Sequence, residues 1–193
     1  VHRNLRMTKI LLAADYTVRV TGFGEARALW SNPDLTSTIT TLWYRAPEVM
    51  LAEKPIYTYP VDMWAIGCVI AEMPARKPLF RGECEIDQLY KVFKFLGSPD
   101  NHSWRGVEQL ERWTDEFPAW YPTKPQQYCP ELTTEAADFI EKILVMEPKK
   151  RLTARLALEE TYCAKAAVPT RQRAWPTPKP EPVTPSAASS SSS

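Results

Sequence analysis

Apolar and polar positions follow two different periods along this chain, and each predicts its own kind of element. Residues 10–12 and 17–21 (Ile10-Leu11-Leu12, then Thr17-Val18-Arg19-Val20-Thr21) are short and β-prone, and a polar link containing Asp15 joins them, which predicts a small hairpin. Residues 22–47 hold Gly, Pro, Ser and Thr without sustained periodicity, so a long loop is expected, of the kind that is usually functional. From Pro60 the period becomes helical. Met63, Ile66, Gly67 and Ile70 recur on a segment apolar nearly all round, which belongs in the middle of a domain. Pro60 suits a first turn and Pro74 is expected to end the helix.

A second helix is predicted over 85–96, with Ile86, Leu89, Tyr90, Phe93 and Leu96 inward and Gly97 as its stop. Residues 98–133 are rich in Pro and Trp and read as irregular but packed. A third helix is expected from Thr134 to Met146, burying Ala136, Phe139, Ile140, Ile143 and Leu144. A fourth starts after Thr153 as N-cap and fades near Cys163. Residues 164–193 alternate proline with polar residues and end in a serine run. No core can form there, so a disordered tail is expected.

Composition narrows the class. Of 193 residues, 44% are apolar and 24% charged, with 24 Lys and Arg against 23 Asp and Glu. That balance fits a globular domain with one core and gives no global field for nucleic acid or an anionic membrane. The longest apolar run, Ala65 to Ala71, is far too short to cross a bilayer. Cys68, Cys84, Cys129 and Cys163 are widely spaced and there are only two histidines, which argues against zinc or a disulfide framework. Free thiols in the cytoplasm or nucleus are the expectation. Neither a signal peptide nor an initiator Met opens the chain, which suggests a start inside a larger protein.

Four short strings then occur in a fixed order: His2-Arg3-Asn4-Leu5, Gly22-Phe23-Gly24, Ala46-Pro47-Glu48 and Asp62-Met63-Trp64-Ala65-Ile66-Gly67. Each is weak alone, but in this order and spacing they resemble the HRD, DFG, APE and DxWxxG strings of eukaryotic Ser/Thr protein kinases. Thr41-Leu42-Trp43-Tyr44-Arg45-Ala46-Pro47-Glu48, Tyr59-Pro60-Val61-Asp62-Met63-Trp64, Lys77-Pro78-Leu79-Phe80-Arg81-Gly82 and Asp87-Gln88-Leu89-Tyr90 are similar to cyclin-dependent kinases. The loop ending Asp34-Leu35-Thr36 is nearest the partners of D-type cyclins. The resemblance covers residues 1–163. It implies a mainly α fold: a kinase-like C-terminal lobe, opened by the hairpin and crossed by a long activation loop, without the N-terminal lobe.

The same resemblance implies chemistry residue by residue, and several positions depart from it. Phosphoryl transfer needs positioning, metal-assisted charge neutralisation and an acceptor for the hydroxyl proton. Asn4 stands where the family has its proton-accepting aspartate, and an amide is not a usable base. Arg6 replaces the lysine that contacts the transferring phosphate. Lys9 and Gly22 stand at the two magnesium-ligand positions, and neither supplies an oxygen donor. Glu25 could reach a metal from beyond the glycine, although a solvated loop carboxylate is the plainer reading; Asp15 is a weaker candidate.

Other positions keep the family pattern. Glu48 and Arg151 match an architectural ion pair, Asp62 matches the residue that holds the catalytic-loop backbone, and Trp64 and Gly67 match packing positions. Thr36 matches the activation-loop phosphorylation site, with Arg3 and Arg27 as its cationic partners; an unmodified loop threonine is the equal alternative. Arg45 and Trp43 fall beside the family's peptide platform, and Trp104, Trp113, Phe117 and Trp120 in its insert are read as packing.

Three readings follow. One is an active cell-cycle type kinase using ATP and magnesium. The second is a pseudokinase-like module needing no cofactor and binding a protein, cyclin-like or kinase-regulating, with no nucleic acid or membrane partner. The third is a degenerate truncated product. The helices that cover the central one in the family are not among these residues, so an exposed apolar face is also expected.

Overall fold

The computed structural model describes residues 1–28, 41–55 and 57–165. It is mainly helical with one small antiparallel sheet. Strand β1 (Ile10–Leu12) pairs with β2 (Val18–Val20), setting Ile10 opposite Val20 and Leu12 opposite Val18. The Asp15 carboxylate closes the link by accepting the Thr17 N–H at 3.0 Å. Of the long loop expected over 22–47, the middle, residues 29–40, lies outside the described residues. Its described ends form short 3₁₀ turns, Phe23–Glu25 and Leu42–Tyr44.

Helix α1 (Pro47–Leu51) leads through a short connection to α2 (Tyr59–Ala75), the centre of the core. Val61, Met63, Trp64, Ala65, Cys68, Val69 and Ala71 are buried on it. Gly67 lets the end of α5 (Thr134–Ile143) come close: a Cβ there would lie 2.7 Å from Leu144 Cδ2 and 2.8 Å from Ile143 Cγ2. Pro74 does not end α2 but sits in its last turn, where proline's fixed φ fits a helix. The helix stops one residue later than that, when Arg76 turns left-handed (φ 53°) and donates its N–H to the Glu72 carbonyl at 2.7 Å.

Helix α3 (Glu85–Leu96) has the expected bounds but a rotated face. Gln88, Leu89, Val92 and Phe93 are buried, whereas Ile86 and Tyr90, expected inward, are exposed. Gln88 is drawn inside because its side-chain oxygen accepts the buried Gly82 N–H at 2.7 Å. Tyr90 still packs edge-on against Phe117 and Trp120, and Phe117 also meets Phe93 and Trp113. The insert is thus held by aromatic contacts, with Trp104 and Phe117 buried. One short helix, α4 (Pro125–Tyr128), forms within it.

Thr133 caps α5 by accepting the Ala136 N–H at 3.2 Å. α5 ends at Ile143 instead of reaching Met146, because the Val145 and Met146 carbonyls turn to Arg151 at 2.9 and 3.2 Å. The predicted fourth helix is two short ones, α6 (Ala154–Glu159) and α7 (Thr161–Ala164), separated by an extended Glu160. Thr153 caps the first of them, accepting the Leu156 N–H at 3.2 Å. Ala164, where composition places the start of the tail, closes α7, and residues 166–193 lie outside the described residues.

Exposed apolar side chains gather on the hairpin side, at Leu11, Leu12, Val18, Val20 and Phe23, more than on α2. Among the described residues no helix is long and apolar enough to cross a membrane.

Candidate functional site

The first residues are pinned to the start of α2. Asp62 accepts the His2 N–H at 2.7 Å through Oδ2 and the Arg3 N–H at 2.9 Å through Oδ1. Its place in the first turn of a helix suits a carboxylate. His2 is buried, faces Phe23 with ring centroids 4.9 Å apart, and meets the Thr21 carbonyl at 3.0 Å through Nε2. Its Nδ1 accepts the Asn4 N–H at 3.3 Å, which assigns the ring proton to Nε2. Arg3 is held at φ 66°, a conformation that costs a non-glycine residue energy and persists only where surroundings enforce it.

These anchors fix the start of the segment that carries Asn4, Arg6 and Lys9. The Thr41 hydroxyl makes a long 3.5 Å contact to Asn4 Oδ1. Arg6 opens the 3₁₀ turn Met7–Lys9, and its Nε is buried without a partner. Gly22 is left-handed at φ 84°, and a Cβ on it would lie 2.6 Å from Lys9 Cδ and 2.7 Å from Lys9 Nζ. The two positions where the resemblance expects magnesium ligands are therefore neighbours. The lysine lies in the space that a side chain at 22 would need.

Magnesium does not fit this pair, because it requires closely set oxygen donors and the nearest group is an ammonium. The Glu25 backbone carbonyl accepts Arg3 Nε at 2.6 Å, and the Glu25 carboxylate favours the charged form of Arg3. Asp15 remains exposed on the hairpin link, its carboxyl held below its ordinary range by hydrogen bonds from Thr17. Among the described residues no three carboxylate, histidine or cysteine groups converge as a metal cluster.

Arg3 is only 1% exposed, yet both its terminal nitrogens lack hydrogen-bond partners. Its guanidinium lies over the Tyr57 ring at 5.1 Å. Burial, then the like charge of Arg27, pushes it below its ordinary value, although a guanidinium stays charged in a protein. Arg27 itself is exposed and exchanges backbone contacts with Val1 at 2.9 and 3.0 Å. Thr36 lies outside the described residues.

Glu48 and Arg151 form a bidentate pair at 2.8 and 3.0 Å. Arg151 also donates to the carbonyls of Val145, Pro60 and Met146, so all five of its N–H groups are used. Its side chain is fully buried and lies 5.0 Å over the Trp64 ring. Trp43 donates to the Gly82 carbonyl at 3.0 Å, while Arg45 pairs with Glu85, which also holds Arg112 at 3.0 Å. The motif strings gave no sign of Tyr57 under Arg3 or of the Tyr44 hydroxyl donating to Glu72 at 2.5 Å. Both are contacts between distant segments with no spacing signature.

A loop pinned to a central helix by an aspartate, and a buried Glu–Arg pair bracing that helix, define a kinase-type helical scaffold. The protein kinase domain family model matches residues 1–163, and the chain belongs to that family. Members of the family generally work with ATP and magnesium.

Proposed function

We propose that the chain is a cyclin-dependent-kinase-like segment that is catalytically silent and acts as a protein-binding module inside the cell. The observation that carries this reading is the Lys9 side chain seated on Gly22, with ammonium chemistry where the reaction needs metal-binding oxygens. Asn4 adds to it, since its amide can orient a hydroxyl but not take its proton. Losing the base and both metal ligands together removes two of the three requirements for phosphoryl transfer.

The Asp62 contacts and the Glu48–Arg151 pair support a scaffold kept for its shape over a decayed product. A cyclin-like or kinase-regulating protein is the partner class this reading favours. The test is thermal unfolding of the purified chain with ATP, with and without magnesium. No magnesium-dependent stabilisation is expected. A clear shift with ATP that requires magnesium would overturn the silent reading in favour of an active kinase.

A further inference from the structure

On the far side of α3 from its buried face, the connection from α2 and the chain around α4 enclose a concavity of about 550 Å³. Lys77 and Arg81 come from the connection, Lys91 and Lys94 from α3, and Phe95 and Tyr128 supply aromatic wall. Four of its lining residues are Lys or Arg and none is Asp or Glu, in a chain with 24 basic and 23 acidic residues. Positive charge is therefore concentrated here beyond what composition gives.

Most of that charge is not neutralised. Lys91 is spoken for by Asp87, at 2.5 and 2.6 Å. Lys77 lies 5.0 Å over the Tyr128 ring and Arg81 5.2 Å over the Trp43 ring. Among the described residues no carboxylate is within ion-pair distance of Lys77, Arg81 or Lys94. Glu131 feels the field of Lys77 without reaching it.

We propose that this groove docks an acidic peptide segment of a partner protein. Its carboxylates would meet the lysine rim, and one aromatic or aliphatic side chain would lie against Phe95 and Tyr128. The inference gives a partner chemistry to the binding role proposed above and rests on that role, but its failure would leave the ATP result untouched. The chain's own tail is the wrong occupant by charge: Arg171, Arg173 and Lys179 stand against Glu181 alone. Nucleic acid is disfavoured because the patch is short and the net charge is only +1.

The test is fluorescence anisotropy of the full chain with a labelled short peptide of glutamates around one phenylalanine. Saturable binding is expected at low ionic strength, weakened about tenfold by Lys77→Glu with Lys94→Glu. Lys54→Glu with Lys149→Glu changes the net charge equally at a remote cavity and should alter affinity less than about twofold, as screened distant charges do. Should the first pair fail to fold, Lys94→Gln alone carries the test, with a loss of about threefold. No saturable binding, equal loss in both charge-reversed proteins, or tighter binding of a short oligo-uridine RNA overturns the proposal. So does a dimer in sedimentation velocity that the Lys77 and Lys94 changes dissolve, since the groove would then hold a second copy.

Discussion

Lys9 and Gly22 act as one unit, and that can be measured without any ligand. Gly22 sits at φ 84° with the lysine's outer carbons and nitrogen where a Cβ would go. A side chain there meets two separate costs, left-handed backbone strain of about 1–2 kcal/mol and the clash with Lys9. Gly22→Ala is therefore expected to destabilise by about that strain or more. In the Lys9→Ala background the clash disappears while the backbone cost stays, so a coupling of about 0.5 kcal/mol or more is expected from a double-mutant cycle in urea. Strict additivity would mean that the lysine does not rest on the glycine in solution. The departures at 4, 9 and 22 from the pattern that the resemblance implies were legible in the sequence because the motif order and spacing locate each one. The closure of Lys9 on Gly22 was not, since twelve residues of hairpin and turn separate them and no periodicity links them.

Among the elements, amphipathic period and caps marked most of the helices, and tertiary hydrogen bonds decided what they could not. The bounds of α3 and the Thr153 cap follow from local chemistry. The rotated face of α3 does not, because a buried Gln88 breaks the rule that polar side chains face water. Likewise α5 stops early for the sake of Arg151, a partner outside the helix itself. That arginine ties α1, the start of α2 and the end of α5 together, so its loss should be felt by all three. Removing one partner of a buried pair leaves the other charge uncompensated, at a cost of about 3–5 kcal/mol. Glu48→Gln and Arg151→Met are each expected to lower the urea midpoint accordingly, with cooperativity kept. A change below about 1 kcal/mol would place the pair in the class of exposed ion pairs and contradict its burial.

For the whole molecule, the groups that burial raises most are phenols and a thiol, so part of the fold's stability is lost on the alkaline side. Tyr44 is pushed up by burial, then by its hydrogen bond to Glu72, and it fastens the Leu42–Tyr44 turn to the end of α2. Burial raises Tyr128 to about 12, and its hydroxyl donates to the Lys77 carbonyl at 2.6 Å. Tyr57 and the core thiol Cys68 are also raised, again chiefly by burial. In each case the folded state holds the proton more tightly than the unfolded chain, whose thiols and phenols titrate near their ordinary values of 9.0 and 10.0. The stabilisation is therefore whole below those values and is lost as pH rises through them toward the folded values. Each such group contributes a slope of up to about 1.4 kcal/mol per pH unit within that window. Urea unfolding repeated from neutral pH upward should show a fall beginning near pH 9 and steepening past 10. Tyr44→Phe removes one of the titrating groups, so its stability curve should fall less steeply than the parent's above pH 10, whatever it loses at neutral pH. Parallel curves for the two proteins would mean that Tyr44 ionises as freely in the folded chain as in the unfolded one, and that its contact with Glu72 does not hold the turn.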